Sequence, residues 1–406
     1  MLAPLAVVFS GSNNKGAKKI MANVFQNTEL VVRDAAIELH GALVAAALIP
    51  DKIEAAFTTR KVGQTVNVTK RPIMTANRHT GTGAFTTSDV TEVSVPVKIV
   101  FRSYVKHKLT AAEKTYDIDD FNIQVVRPAM VAIAQDIDLF LIHNILVPGF
   151  ARNVAGTDGV DPSTLAHLAA GWKKMFDSKL DPKASVGILD SQAAANFLQL
   201  DQFISKDYGD ERPNGLRQAI LAQVYGTQMY PSNSAATQAR GNIAGTVLTN
   251  GVPVLAATTL AIDGLTDQTS VIWKGARFSV AGDTQVYTIK SETADNVPAA
   301  GAVTVSIYPA VSADLVSAAS GSAVTFETAL KENVLFHPDA VARAIIAPEP
   351  FSAMPSSVGE FEGLSIRTSL ESTMNNDDTG DGDYILFDTY LGANVIVEAG
   401  GVILQG

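Results

Sequence analysis

A long hairpin with little to bury constrains this 406-residue chain more than any other feature of its sequence. The stretches "QTVNVTK" (64–70) and "EVSVPVKIVFR" (92–102) alternate apolar and polar residues with the period of two that predicts β-strands. The Thr/Gly-rich stretch "TGTGAFTTSD" (80–89) lies between them. Because a two-stranded ribbon without a core is marginal in water, we expect this arm to lie on another surface.

The same segment is basic, although the chain is acidic. From Arg60 to Lys108 there are nine basic and two acidic residues, a local charge of about +7, whereas the whole chain carries −10. The basic residues are Arg60, Lys61, Lys70, Arg71, Arg78, Lys98, Arg102, Lys106 and Lys108. A net charge of −10 argues against a general nucleic-acid binder. The arm can still pair with nucleic acid or with the acidic body of another copy.

Composition excludes several classes of site. The chain has no cysteine, so disulfides, thiolate catalysis and thiolate metal ligands are absent. We find no apolar run approaching the roughly 20 residues of a membrane span. The length allows two or three domains or one elaborate domain.

Two segments have helical periodicity. In residues 28–48 the apolar face comprises Val32, Ala35, Ala36, Leu39, Leu43 and Ala46. In residues 117–146 one face comprises Met130, Ile133, Ala134, Ile137 and Leu141, and a second comprises Leu139, Phe140 and Ile142. We therefore expect the second helix to be buried on two sides, with Pro128 kinking it or beginning its main part. A further helix is predicted after Asp161 and Pro162, and then a strand, a cap and a helix over "ASVGIL" and "DSQAAANFL".

Residues 256–328 read as short strands separated by Gly, Asp and Ser turns, without helical spacing. We predict an inserted all-β module that folds independently. Its expected core comprises Trp273, Phe278, Val280, Val286, Tyr287, Val305 and Ile307.

Two motifs resemble ligand sites without matching them. In "GSNNKGAKK" (11–19) Ala17 stands where a phosphate-binding loop has its lysine. In "NNDDTGDGD" (375–383) Asp377, Asp381 and Gly382 fit a calcium loop, but Thr379 and Asp388 are poor third and twelfth residues. We interpret the first as a basic N-terminus and the second as a turn between strands, with metal binding there left open.

The histidines form no recognisable catalytic or metal set. They are His40, His79, His107, His143, His167 and His337, and no pair has the spacing of ligands on one helix face. His337 and Asp339 flank Pro338, which ends a strand, and Asp339 can cap the turn that follows, so a strand entering a turn explains the triplet. We therefore predict no catalytic, cofactor-binding or metal-binding residue, no cofactor and no enzyme activity.

Five stretches, in order along the chain, resemble the major capsid proteins of tailed phages. They are "DDFNIQVVRPAMVAIAQDID" (119–138), "VYGTQMYPSNSA" (224–235), "LAIDGLTDQTSVIWKGARFSVAGDTQVYTIK" (260–290), "ENVLFHPDAVARAIIAPEPF" (332–351) and "DTYLGANVIVEAGG" (388–401). The third is similar to the β-domain inserted in coat proteins of short-tailed phages. Val397 stands where the family has a proline before Glu398.

The resemblance implies an α+β shell fold with an inserted all-β domain. The implied parts are an N-terminal arm (1–57), an extended β-hairpin loop (58–110), a spine helix with the peripheral domain (111–150), an axial domain (151–255), the inserted β-domain (256–328) and return strands of the peripheral and axial domains (329–406).

The implied function is self-assembly into the icosahedral shell that encloses the double-stranded DNA of a tailed phage. The implied partners are other copies in pentamers and hexamers, a scaffolding protein, a portal protein, a decoration protein where the shell carries one, and packaged DNA without sequence specificity. No membrane is expected. The chain would be assembled in the host bacterial cytoplasm and reside in the virion. A cargo-enclosing bacterial nanocompartment and a metal-dependent binding protein or enzyme using the Asp-rich turn are the alternatives.

Overall fold

The computed structural model describes residues 31–50, 63–70, 78, 92–109, 122–177, 184–200, 224–238, 241–266, 271–290, 301–317, 320–327, 329–350, 355–373 and 382–406. They form a mixed α+β structure, which confirms the predicted class. The helices are α1 (31–42), α2 (Ala45–Leu48), α3 (Asn122–Phe150), α4 (Leu165–Asp177), α5 (Ser191–Leu198) and α6 (Ala313–Ser317).

The first ten strands are β1 (Thr65–Lys70), β2 (Val93–Leu109), β3 (Val154–Ala155), β4 (Val186–Leu189), β5 (Gln228–Pro231), β6 (Thr237–Gln238), β7 (Gly241–Asn242), β8 (Gly245–Thr249), β9 (Thr259–Leu265) and β10 (Val271–Ile272). The others are β11 (Arg277–Val280), β12 (Val286–Ile289), β13 (Val303–Tyr308), β14 (Val324–Phe326), β15 (Leu330–Lys331), β16 (Val334–Phe336), β17 (Val341–Ile346), β18 (Ser356–Phe361), β19 (Leu364–Thr373), β20 (Gly382–Val395) and β21 (Gly401–Leu404).

The chain divides into two compact units. The smaller unit comprises Met1–Ala42, Arg102–Ile133 and Ile345–Tyr390, and the larger comprises Leu43–Phe101, Ala134–Ala344 and Leu391–Gly406. The elements α3, β2, β17 and β20 contribute residues to both units. The six-part division predicted from the sequence stays a prediction.

In the smaller unit, β18, β19 and β20 pair antiparallel, and α1 packs on β18. Glu362 and Gly363 form the turn between β18 and β19, and both have positive φ (47° and 74°), as a type I′ hairpin turn requires. At Gly359 a Cβ atom would lie 2.7 Å from the carbonyl oxygen of Val32. A side chain at residue 359 would therefore push α1 off the sheet.

The helix predicted over 28–48 is correct in its buried face but not in its continuity. All six residues of the predicted face are buried. However, α1 ends at residue 42 and the short α2 follows. The side chain that begins α2 is remote in sequence, since the buried Asp138 accepts hydrogen bonds from the backbone N–H groups of Val44 (2.7 Å) and Ala46 (3.1 Å).

The predicted long helix is α3, whose main α-helical part starts at Arg127, just before Pro128, after a π-helical turn over Asn122–Val126. The first predicted face is buried, because Met130, Ile133, Ala134, Ile137 and Leu141 are at most 1% exposed. The second face is only partly buried: Ile142 is inaccessible, whereas Leu139 is 45% exposed. The expectation of burial on two sides is therefore wrong at Leu139.

The helix α3 is also long and apolar enough to cross a membrane by length and composition, contrary to the expectation from the sequence. More than half of its most apolar window is buried inside the protein. Core helices of water-soluble proteins satisfy the same criteria, so one such helix is weak support for a membrane span.

A five-stranded sheet with the order β3-β21-β16-β4-β5 forms one layer of the larger unit. The outer pairs β3–β21 and β4–β5 are parallel and the inner pairs are antiparallel. Helices α4 and α5 share an apolar core with this sheet, to which Leu168, Met175, Phe197, Leu335 and Leu404 contribute. Asp190 caps α5 as predicted, because its carboxylate accepts the backbone N–H of Ala193 at 2.6 Å.

A six-stranded antiparallel sheet with the order β14-β11-β12-β13-β9-β8 forms a second body in the larger unit. Its outer strands meet, since Thr249 donates its backbone N–H to Ser322 (2.9 Å) and accepts that of Gly321 (2.9 Å). The sheet therefore closes into a small barrel. We call residues 245–326 the β-barrel, which includes β8, a strand that precedes the predicted module.

The barrel has its own core of sixteen buried residues, with Phe278, Tyr287, Ile262 and Ile307 at its centre. Five of the seven predicted core residues belong to it: Phe278, Val280, Tyr287, Val305 and Ile307. Trp273 is 38% exposed and Val286 is half-buried, so the prediction is wrong for these two. The segments that lead into and out of the barrel lie side by side, because β6 pairs with β15 at Gln238 and Leu330.

Candidate assembly surface

The strands β1 and β2 form an antiparallel ribbon in the larger unit. Pairs such as Val66–Val97 and Val68–Val95 lie opposite each other. Odd residues of β2 from Val93 to Ile99 and even residues of β1 share one face, and this part of the face is apolar except for Lys70. The hairpin strands predicted from the sequence are therefore present, while the tip, residues 79–91, lies outside the described residues.

The apolar face of the ribbon loses its cover along its length. Ile99 and Val97 are inaccessible to solvent, Val95 is half-buried and Val93 is 51% exposed. In β1, no residue is fully buried. Because the stripe continues past the core that covers its base, the outer part of the ribbon needs another surface to bury Val93.

The base of the ribbon is fixed to the end of β20. Asn394 donates a side-chain hydrogen bond to the carbonyl oxygen of Pro96 at 2.8 Å. At Gly392 a Cβ atom would lie 2.5 Å from the carbonyl oxygen of Lys98, so the two backbones approach too closely for a side chain. The ribbon thus emerges from a rigid attachment.

The basic residues of the arm do not act as one patch. Lys98, Lys108 and Arg78 are exposed and Lys70 is half-buried. Arg60, Lys61 and Arg71 lie outside the described residues. Lys106 lies over the ring of Tyr384, with its Nζ 4.6 Å from the centroid.

Arg102 belongs to a buried charge cluster in the smaller unit. The carboxylate of Asp388 is inaccessible and accepts two hydrogen bonds from Arg367, from Nε at 2.9 Å and from a terminal nitrogen at 2.6 Å. Arg102 contacts the same carboxylate, and Arg367 also donates to the carbonyl oxygen of Glu349 at 2.6 Å. The positive charge of Arg102 is therefore used within the fold.

A second buried carboxylate lies in the larger unit beside His143. Glu332 is inaccessible, and its two oxygens contact Nδ1 of His143 (2.5 Å) and the backbone N–H of Ala236 (2.8 Å). The hydrogen bond to Glu332 raises the pKa of His143, which partial burial opposes. Glu332, which follows the barrel in sequence, thus joins α3 to the segment that precedes the barrel.

Two aspartates, Asp190 and Asp161, lie close together at the start of α5. Burial, together with the neighbouring Asp161, raises the pKa of Asp190 to about 6, although the backbone N–H of Ala193 opposes the shift. Lys331 contacts the other carboxylate, with its Nζ 3.0 Å from an oxygen of Asp161. Asp190 thus keeps its proton to a higher pH than an isolated carboxyl group does.

The predicted turn at His337 is present, with a different cap. Nδ1 of His337 accepts the backbone N–H of Asp339 at 3.2 Å, and Pro338–Ala340 form a single 3₁₀ turn before β17. The histidine, not Asp339, is therefore the capping side chain.

The other candidate motifs, residues 11–19 and 374–381 of the Asp-rich turn, lie outside the described residues. Within the described ranges no three His, Asp or Glu side chains are placed to hold a metal ion. Sequence reasoning missed the burial of Asp138, Glu332 and Asp388, because an acidic residue in a sequence indicates charge and does not indicate burial.

No protein-family model matches this sequence, and no curated protein is significantly similar to it. Solved structures give matches along most of the chain. A chain from Mycobacterium phage Che8 has a TM-score of 0.44 and 13% identity, with 89% of this chain and 90% of that chain covered. The capsid of cyanophage P-SCSP1u has a TM-score of 0.43 and 11% identity, covering 89% and 88%. A virus-like particle from Pyrococcus furiosus has a TM-score of 0.37 and 10% identity, covering 93% and 99%.

These neighbours are mostly tailed-phage capsids. Across the neighbours the TM-scores are 0.37–0.44 and the sequence identities are 8–13%.

Proposed function

We propose that this chain is a shell-forming protein, the major capsid protein of a tailed phage, and that copies of it enclose double-stranded DNA. The observation that carries the proposal is the ribbon, whose apolar stripe runs from the buried Ile99 to the half-exposed Val93. A monomer has no use for such an extension, whereas a neighbouring copy in a shell would cover it.

Charge supports the same proposal. An acidic chain with a basic segment can associate with further copies of itself through opposite charges. A net charge of −10 also suits a wall facing packaged DNA, because phosphates are repelled by it. In this proposal, scaffolding and portal proteins direct assembly in the host cytoplasm, and the smaller and larger units correspond to the peripheral and axial domains.

We also propose that the chain is not an enzyme. Four of the five described histidines have a local structural partner: His40 with Glu362 (3.1 Å), His143 with Glu332, His167 with the backbone N–H of Ser163 (3.2 Å) and His337 with that of Asp339. Each contact stabilises a turn, a cap or a packing site, and this distribution favours a structural role over an acid–base site.

Electron microscopy of the purified chain, alone and with its scaffolding protein, tests the proposal. We expect closed particles of uniform diameter. Particles purified after nuclease treatment distinguish the two shell functions, since a phage capsid protects DNA and a nanocompartment protects a protein cargo. A chain that stays monomeric at all concentrations and salt conditions, with and without scaffold, would contradict both.

A further inference from the structure

A cationic cleft of about 240 Å³ opens in the larger unit, between the end of α3, the barrel strands β12 and β13 and the end of β20. Its charged lining consists of Arg152, Lys274, Lys290 and Glu398, and Tyr308 forms one wall. The local charge is therefore about +2 in a chain whose net charge is −10.

Close backbone contacts fix the walls of this cleft. At Gly149 a Cβ atom would lie 2.4 Å from Cγ2 of Val395, and at Gly275 (φ +89°) it would lie 2.9 Å from Cα of Pro148. The end of α3 therefore sits directly against β20 on one side and the barrel on the other. A cleft held in this way is formed before any ligand arrives, which lowers the ordering cost of binding.

The two lysines of the cleft have no carboxylate partner among the described residues. Arg152 pairs with Glu398 at 2.7 Å and stacks over Tyr308, with Cζ 4.4 Å from the ring centroid. Lys290 approaches the same ring at 5.5 Å, and no described carboxylate lies within salt-bridge distance of Lys274 or Lys290. Nε of Arg152 is buried and has no hydrogen-bond acceptor. The cleft thus offers two lysines and one unused donor to an anion.

The identity of the anion follows from charge and size. A cleft of 240 Å³ accommodates a carboxylate side chain or a single phosphate group. The chain's net charge of −10 repels the phosphates of DNA, whereas a shell presents the acidic surface of a second copy at high local concentration. Residues 377–383 carry four aspartates within seven residues and no basic residue.

We propose that this cleft binds the acidic segment 377–383 of a second copy of the chain. The proposal rests on the proposed shell function and names one contact between its subunits. Lys274 and Lys290 would pair with aspartates of the segment, and Nε of Arg152 would donate to one of them.

A peptide-binding measurement tests the cleft without requiring assembly. The probe is a fluorescent peptide of residues 371–385, measured by anisotropy against the full chain at low and physiological salt. We expect salt-dependent binding that Lys274→Glu weakens about tenfold, as for the loss of one close charge pair. Lys173→Glu, at an exposed site on α4, is the matched control and should bind normally. The same peptide with its four aspartates changed to asparagine should not bind.

Charge exchange in assembly is the second arm. Lys274→Glu with Lys290→Glu, and separately Asp377→Lys with Asp381→Lys, should each lower particle yield, and the combined variant should restore it. If the double lysine variant gives the same particle yield as the wild type and the peptide does not bind, the cleft proposal is overturned and the proposed shell function stands. If the peptide binds but the chain forms no particles under any condition, the cleft proposal stands and the proposed shell function is overturned. Binding of duplex DNA that is lost in Lys274→Glu would assign the cleft to phosphate instead.

Discussion

Single carboxylates connect distant segments inside the larger unit. Asp138 in α3 caps α2, ninety-odd residues earlier in the sequence, and Arg343 holds the end of α2 through the carbonyl oxygen of Ile49 at 2.6 Å. Burial raises the pKa of Asp138, and the backbone N–H groups of Val44, Ala46 and Ala45 and the charge of Arg343 oppose the shift. The pKa of Asp138 thus reflects two opposing effects, desolvation of the carboxylate and the hydrogen bonds that it accepts.

We expect Asp138→Ala to lower the free energy of unfolding by about 1–3 kcal/mol, because it leaves two backbone N–H groups without an acceptor. Gln135→Ala, at an exposed position on the same helix, should change it by less than about 0.5 kcal/mol. Urea denaturation of both variants gives the comparison. Equal stability of the two would mean that water replaces the carboxylate.

The pKa of Asp190 near 6 predicts a pH dependence. This value lies above the ordinary carboxyl pKa. Between about pH 4 and pH 6 the folded chain therefore keeps a proton on Asp190 that the unfolded chain has already released. The stability that this proton contributes is complete below pH 4 and is lost as the pH rises through 6.

Asp190→Asn keeps the capping oxygen and removes the charge beside Asp161. We expect this variant to be at least as stable as the wild type at pH 7.5, with its relative advantage reduced at pH 4.5. Thermal unfolding at the two pH values measures it. Asp190→Ala, which loses the cap, should be less stable than Asp190→Asn at both pH values. A pH-independent difference between Asp190→Asn and the wild type would contradict the raised pKa of Asp190.

At the scale of elements, the ribbon divides into a base that serves the fold and an outer part that serves contacts. Val97→Thr places a hydroxyl in the core and should destabilise the subunit by about 1–3 kcal/mol. Val93→Thr, at a half-exposed site on the same face, should leave the free energy of unfolding within about 0.5 kcal/mol of wild type and reduce particle yield. Denaturation and electron microscopy separate the two effects. Normal particle yield in Val93→Thr would show that the stripe is not covered in a shell.

The barrel gives a second prediction at this scale. A fragment of residues 256–328 lacks β8, whose residues Thr249 and Leu248 close the barrel against Ser322 and Ala323. We therefore expect a fragment of residues 243–329 to give dispersed amide signals in two-dimensional NMR and the shorter fragment to give poorly dispersed ones. Well-dispersed signals from both fragments would mean that β8 is dispensable.

Periodicity and capping residues predicted the elements whose signals lie within one short stretch of sequence. The buried faces of α1 and α3, the cap at Asp190 and the strands of the ribbon all followed from periodicity and capping chemistry. The exposure of Leu139 did not, because a helix that is apolar on two sides does not reveal which side is covered. Neither the closure of the barrel by β8 nor the pairing of β6 with β15 was foreseen, since the contacts of β8 with residues 321–323 and of β6 with β15 join segments more than fifty residues apart. The partners of Glu332 are equally remote, since His143 is 189 residues away and the donor Ala236 is 96 residues away.

At the scale of the whole molecule, the negative net charge disfavours binding to nucleic acid. With 41 acidic and 31 basic residues, the subunit should not retain duplex DNA at physiological salt. Fluorescence anisotropy with a labelled duplex at about 50 and 150 mM salt tests this expectation. Tight binding with a steep salt dependence would show that the basic segment 60–108 dominates over the net charge, and would favour a nucleic-acid role for the arm.

The pairing of Gln238 with Leu330 has a consequence for protein engineering. Paired residues on adjacent antiparallel strands have their Cα atoms only about 5 Å apart, a gap that a two-residue turn closes. We therefore expect residues 239–329 to be replaceable as one unit. An Asn-Gly linker in its place would turn β6 and β15 into an ordinary hairpin, and another compact domain with adjacent termini would fit the same junction. Every copy in an assembly would then display the guest domain.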